Sequence, residues 1–284
     1  MTECPVCFRH CRIKDGALGF CGARTAENGK TKAYNYGRIT SMAIDPIEKK
    51  PLARFYPGSR ILSVGSFGCN LRCPFCQNHE ITWSEAAKRF AKTAENWTPE
   101  ELAFLAGQTK ERGNIGIAFT YNEPLIGYEF VRDTAQLLKM KNPGLKAVMV
   151  TNGTAELPVL QELTPVIDAM NIDLKGFTDH YYRDVLDGNR QQVMMFIQEA
   201  VKHCHVELTT LIVPGENDSE EEMRELSAWV KTLKNPDGKS VPLHISRFFP
   251  RFHMMDRTAT DVKAVYRLVE IAREKLEYVY TGNV

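Results

Sequence analysis

Cys69, Cys73 and Cys76 fall within Gly68-Cys69-Asn70-Leu71-Arg72-Cys73-Pro74-Phe75-Cys76, shortly after the apolar run Ile61–Val64. Whatever this chain folds into must end a strand at a loop that gathers three thiols. Buried cysteines otherwise behave as small hydrophobes, which are seldom packed this densely with Gly, Asn, Arg and Pro between them. A structural zinc ion takes four ligands, and His79 is available as the fourth. Three thiolates alone suit a cubane, holding three irons and leaving one without a protein ligand. Clusters that only carry electrons normally take four cysteines.

From Arg60 onward, short apolar runs alternate with longer amphipathic stretches, the pattern of βα units around a parallel sheet. Ile61–Val64, Ile115–Thr120, Ala147–Val150, Val166–Leu174, Glu207–Val213 and Leu243–Phe248 read as six strands, with Tyr278–Tyr280 as a short last one. Thr98, Pro99 and Glu101 form a capping box that starts a helix, and Ser219 with Glu222 repeats it. Gly113 and Asn114 end the first of these helices, and Asn142-Pro143-Gly144 ends another that starts near Leu125. The expected fold is α/β, a partial (β/α)6 TIM-like barrel over 56–284. Residues 1–55, rich in Gly, Cys and basic side chains, form a small Cys-rich N-terminal metal-binding segment. In such barrels chemistry sits at the C-terminal ends of the strands.

Each strand end carries polar residues. The second ends in Thr120-Tyr121-Asn122-Glu123-Pro124, where proline stops the sheet and keeps Glu123 extended. The third ends in Val150-Thr151-Asn152-Gly153 and the fourth in Asn171-Ile172-Asp173-Leu174-Lys175-Gly176. Asp173 and Lys175 also read as a mutual ion pair at the rim. The fifth gives Thr209-Thr210-Leu211-Ile212-Val213-Pro214-Gly215, and the sixth Pro242-Leu243-His244-Ile245-Ser246-Arg247-Phe248-Phe249-Pro250. His203-Cys204-His205 reads as a core cysteine between satisfied histidines, since no second pair of metal ligands lies nearby.

The C-x3-C-x2-C string with Phe75 before its last cysteine resembles the signature of the radical S-adenosylmethionine (radical SAM) superfamily. The third and fourth strand ends are similar to those of pyruvate formate-lyase-activating enzymes. The sixth strand with Met254, together with Cys4-Pro5-Val6-Cys7, Cys11 and Gly19-Phe20-Cys21-Gly22-Ala23-Arg24, resembles the radical enzyme of the AmmeMemoRadiSam system. That resemblance implies a [4Fe–4S] cluster on Cys69, Cys73 and Cys76, with S-adenosylmethionine on the open iron. It implies cofactor contacts from Phe75, Asn122, Glu123, Asn152, Asp173 and Lys175. The lysine would lie near the cofactor carboxylate, as a charge-assisted hydrogen bond. The activases have an aspartate where this chain has Val150, beside the oxygens that Asp173 and Thr151 would offer a monovalent cation. They have an arginine where it has Thr209, so Ser246 and Arg247 are the expected carboxylate clamp. Relatives usually have histidine at Phe249.

Cys4, Cys7, Cys11 and Cys21, spaced x2, x3 and x9, are four soft ligands that suit zinc or an iron–sulfur cluster equally. A closed site there would staple a segment too small and polar to fold by burial. Residues 1–60 hold 11 Lys/Arg against 5 Asp/Glu. Cations offset the charge of a thiolate–metal centre, and they also suit an acidic one-electron donor of the flavodoxin or ferredoxin type.

The whole chain has a net charge of only +1, which argues against nucleic acid. No apolar run approaches the ~20 residues of a membrane span. The N-terminus lacks signal-peptide features, so the cytoplasm is expected, where cysteines serve as metal ligands. The functional expectation is an oxygen-sensitive radical SAM enzyme of unidentified substrate, with Memo-type and AMMECR-type proteins as partners. Its alternatives are a glycyl-radical enzyme activase and, in another class, a zinc-binding scaffold.

Overall fold

The computed structural model describes residues 1–284. The apolar runs become neighbours in one eight-stranded sheet. Its order is Val279–Gly282, Leu243–Arg247, His205–Ile212, Ala169–Asp173, Lys146–Thr151, Asn114–Phe119, Arg60–Gly65 and Ser41–Pro46. All neighbours are parallel except Ser41–Pro46, which pairs antiparallel with Arg60–Gly65. We number the parallel strands in chain order, from Arg60–Gly65 as the first to Val279–Gly282 as the seventh. Each of the first six is followed by a helix, namely Pro99–Gln108, Tyr128–Lys141, Leu157–Leu163, Arg190–Ala200, Glu220–Val230 and Val262–Arg273. The fold is thus α/β around a mainly parallel sheet.

The expected strands lie where the apolar runs fall, with shifted ends. The fourth starts at Ala169 rather than Val166, because the amides of Val166 and Ile167 are bound to the Leu163 carbonyl in a turn. Thr98 and Glu101 make the expected reciprocal cap. Ser219 makes only its half: it accepts from the Glu222 amide, while the Glu222 carboxylate accepts from the amide of Phe177, 2.5 Å away. Glu222 is thereby spent on holding the loop after the fourth strand.

Alternation along the strands separates two faces. Leu62, Ile117, Met149, Ile172, Leu208 and Ile245 join the large core under the helices. The opposite face carries Ile61, Ala118, Val148 and Ala169, and these pack on Ile47 and Leu52. Residues 47–54 therefore plug one end of the inner face. Further along, that face turns polar, with Ser63, Asn171, Asp173, Thr209 and Ser246.

Two buried groups hold the plug. The Asn171 amide donates to the Pro51 carbonyl at 2.8 Å. The Glu207 carboxylate, fully buried, accepts from the backbone amides of Ala53 and Arg54 and bonds the rings of His205 and His244. Burial alone would raise the pKa of Glu207, but these hydrogen bonds outweigh it and hold it at about 2.

A carboxylate so depressed contributes stability above its unfolded pKa that is lost as pH falls toward the folded one. The contribution is on the order of 3 kcal/mol. Glu207→Gln is expected to be less stable than wild type at pH 6, with the difference shrinking as the pH is lowered to 3. Denaturant titrations of both proteins across that range measure it; a gap independent of pH would contradict the assignment.

Candidate active site

The cysteine loop leaves the first strand at Gly65 and is clasped from two sides. Gly68 sits at φ +92°, and a Cβ there would lie 2.6 Å from the Cys21 carbonyl and 2.8 Å from the Ala23 side chain. Only glycine fits so tight a left-handed position. On the other side Asn122 accepts from the Ser66 amide at 2.9 Å and donates to the carbonyls of Phe67, Gly68 and Glu123. Inside the loop, Arg72 donates to the carbonyls of Cys69 and Leu71, and the Leu71 amide points at the Cys69 sulfur, 3.4 Å away. Cys76 Sγ lies 3.3 Å from the Thr82 hydroxyl.

Glu123 is buried beneath this loop. Its carboxylate accepts from the Leu125 amide at 3.0 Å, the Thr151 hydroxyl at 2.5 Å and the Asn152 amide at 2.8 Å. Burial pushes its pKa up to about 7 against the pull of these donors. Asn152 in turn donates to Asn70 Oδ1 at 3.0 Å and toward Cys69 Sγ at 3.7 Å, and accepts from Thr154. The second and third strand ends are thus joined to each other and to the cysteine loop.

The fourth strand end supplies charge. Lys175 Nζ lies 2.8 Å from Asp173 Oδ2, the ion pair read from the sequence. Burial opposes the ammonium charge, but Asp173 and Cys73 outweigh it and raise the pKa of Lys175. The pair therefore sits beside the cysteines as well as at the rim. Phe75 is buried, edge-on to Phe248 at 6.2 Å.

Ser246 and Arg247 are not brought together. Consecutive strand residues face opposite sides, and the Arg247 guanidinium donates to the Thr260 carbonyl at 2.7 Å and lies over the Phe249 ring. The Thr209 hydroxyl is taken by Asn171. His203 lies in a turn before the fifth strand and bonds Glu199, His205 bonds Glu207, and Cys204 is buried.

No three metal-ligating side chains converge as closely as a single ion demands. Cys69, Cys73 and Cys76 are nevertheless near enough to feel one another's charge. His79, the zinc reading's fourth ligand, instead stacks on Phe252 at 4.3 Å. Burial pushes the Cys73 thiol up to about 11, against the pull of Lys175. Thiols this reluctant to ionise deprotonate when iron takes the proton's place. A three-thiol loop with an inward amide and a neighbouring ammonium fits a cubane held by three cysteines.

Cys4, Cys7, Cys11 and Cys21 line one void with Arg24 and Asn70. Asn70, Arg24 and Thr154 carry no role in the sequence reading. The position of Asn70 inside the cysteine string was the one signal, and Asn70 also lines the void of the N-terminal cysteines.

Residues 63–227 match the radical SAM superfamily. An uncharacterised protein of Methanocaldococcus jannaschii is 39% identical over 100% of this chain and 81% of its own length. The pyruvate formate-lyase 1-activating enzyme of Escherichia coli is 26% identical over 63% of this chain and 71% of its own. Among solved structures, a domain of a pyruvate formate-lyase-activating enzyme from Bacteroides vulgatus aligns over 59% of this chain and 99% of that one, with a TM-score of 0.51 and 15% identity. Streptococcus suis SuiB bound to S-adenosylmethionine aligns over 76% of this chain, with a TM-score of 0.55 and 14% identity. This chain matches about half, 48%, of SuiB. These structural likenesses concern the fold.

Glu123→Gln places an amide N–H against the Asn152 amide, leaving a buried donor unpaired at a cost of about 1–3 kcal/mol. Denaturant unfolding under anaerobic conditions measures the loss. An unchanged midpoint would mean that the strand ends do not depend on this carboxylate.

Proposed function

The chain belongs to the radical SAM superfamily, and from that premise we propose that it cleaves S-adenosylmethionine reductively and uses the resulting radical to take hydrogen from a substrate. The observation that carries this reading is the gathering of Cys69, Cys73 and Cys76 at the sheet edge that also holds Glu123, Asn152 and the Asp173–Lys175 pair. When bound, the cluster supplies the electron that splits the sulfonium and yields the 5′-deoxyadenosyl radical. The chain's own residues orient and shield.

Lys175 holds the methionyl carboxylate by a charge-assisted hydrogen bond, with Asp173 keeping the ammonium in place and charged. Asn122 and Glu123 act through the backbone they fix, because their polar atoms are already committed to the cysteine loop and the third strand. Asn152 borders Cys69. Phe75 and Ser246 complete the apolar and polar walls. Such burial keeps water from a reactive intermediate.

The sheet is read as a partial barrel, with residues 1–55 as an appended segment whose four cysteines bind a further metal, zinc or iron–sulfur. The AmmeMemoRadiSam subtype is favoured by the cysteine pattern of that segment and by the sixth strand. It brings Memo-type and AMMECR-type partners, a flavodoxin- or ferredoxin-like donor, and an oxygen-sensitive enzyme of oxidoreductase or lyase type in the cytoplasm. No helix is long and apolar enough to cross a membrane.

A second reading, a glycyl-radical enzyme activase, is favoured by the 26% identity to the Escherichia coli activating enzyme. Against it, Thr209 is engaged with Asn171 where the activases carry arginine. A glycyl doublet on a partner in electron paramagnetic resonance (EPR) would decide for it.

Anaerobically reconstituted and reduced wild type is expected to form 5′-deoxyadenosine, and Cys73→Ala to form none. Lys175→Ala should raise the KM for S-adenosylmethionine about tenfold or more, the loss of one charged hydrogen bond. Wild type that contains zinc without iron, or gives no product where a control enzyme does, would overturn the proposal.

A further inference from the structure

We propose that the void between Cys4, Cys7, Cys11 and Cys21 holds a second [4Fe–4S] cluster, closed by four thiolates and in contact with the loop of the first. This deepens the reading of these cysteines as metal ligands and is independent of the radical chemistry.

The N-terminal chain is folded around the four sulfurs. Thr2–Glu3 pairs antiparallel with Arg12–Ile13, and the Cys4 amide donates to the Cys11 carbonyl at 2.9 Å. Cys7 stands at the turn between them, bridged to Ala155. Cys21 lies within a turn in which Gly22, at φ +72°, donates to the Gly19 carbonyl. Backbone amides lie near sulfur here too: that of Arg9 by Cys7, and those of Ala23 and Arg24 by Cys21. The Asn70 side chain also reaches Cys7.

Two observations point to a ligand of some size and negative charge. Arg24 is 3% exposed and borders Cys4; its Nη1 is paired with Glu129, while its Nε–H meets no oxygen or nitrogen acceptor. A buried cationic donor left unpaired is costly, and an anionic metal–thiolate centre in the void would satisfy it. The second observation is room. With Zn–S near 2.3 Å, a tetrathiolate zinc site draws its sulfurs to about 3.8 Å from one another and leaves no space at its centre. Here the four cysteines enclose a void that admits a sphere of water's size, and no three of them close on a single ion. Cys69, Cys73 and Cys76 do not close on a single ion either. Four cysteines also match the full ligand count of an electron-carrying cluster.

The two loops touch. The Cys69 amide donates to the Cys21 carbonyl at 3.2 Å, and Asn70 spans from the void to Asn152 beside Cys69.

The test is metal analysis and EPR of the full chain after anaerobic reconstitution with iron and sulfide. Wild type is expected to bind about eight iron and eight sulfide per chain, two cubanes. A Cys69→Ala, Cys73→Ala, Cys76→Ala variant should keep about four of each, with a reduced spectrum that S-adenosylmethionine does not alter. Cys7→Ser with Cys21→Ser should also keep about four, with a spectrum that S-adenosylmethionine does alter. If the double variant fails to fold, the triple variant decides. About four iron with stoichiometric zinc in wild type, or a triple variant without iron, would overturn the proposal. Failure of the radical reading would show separately, as wild type with full iron and no 5′-deoxyadenosine.

Discussion

The Glu123 carboxylate, buried under the cysteine loop, is the tie on which the site's geometry depends. It gathers donors from Leu125, Thr151 and Asn152, so the ends of the second and third strands cannot separate. Asn122, one residue before it, hands that rigidity to the cysteine loop through Ser66, Phe67 and Gly68. The edge that carries the cysteine loop is therefore set by backbone positions that two side chains hold from below. A buried carboxylate costs desolvation, seen in its raised pKa, and the donors around it offset that cost.

Charge is distributed to receive a metal–thiolate centre. Lys175 beside Cys73, Arg72 bound to the Cys69 carbonyl and Arg24 beside Cys4 place cations next to both cysteine sets. Burial raises the thiols of Cys69, Cys73 and Cys76, so binding metal there would also mean losing their protons. The plug at the other end of the sheet is built from an opposite choice, with Glu207 kept ionised among two histidines and two backbone amides.

Much of the architecture was legible in order and type. Apolar runs of strand length, the Thr98 cap and the cysteine spacing depend on neighbours in sequence, and each appears where its local pattern requires. Residues 47–54 and Ser41–Pro46 were not legible, because a plug and an antiparallel edge strand acquire meaning only from partners far along the chain, such as Asn171 and Glu207. Nor was it legible that Ser246 and Arg247 would part, since adjacent strand residues point to opposite faces and Arg247 meets the Thr260 carbonyl.

The sequence alone determined which side chains the two loops offer, since three cysteines in one short loop and four more near the N-terminus are fixed by covalent spacing. Only the tertiary structure decided which side chains those loops would meet. Asn70 lies between the two cysteine sets, Arg24 reaches one void and Glu123 locks two strand ends, because the sheet brings residues separated by tens of positions within hydrogen-bond distance. Hydrogen bonds and buried charges are short-ranged in space and indifferent to distance along the chain, so no local pattern could announce them.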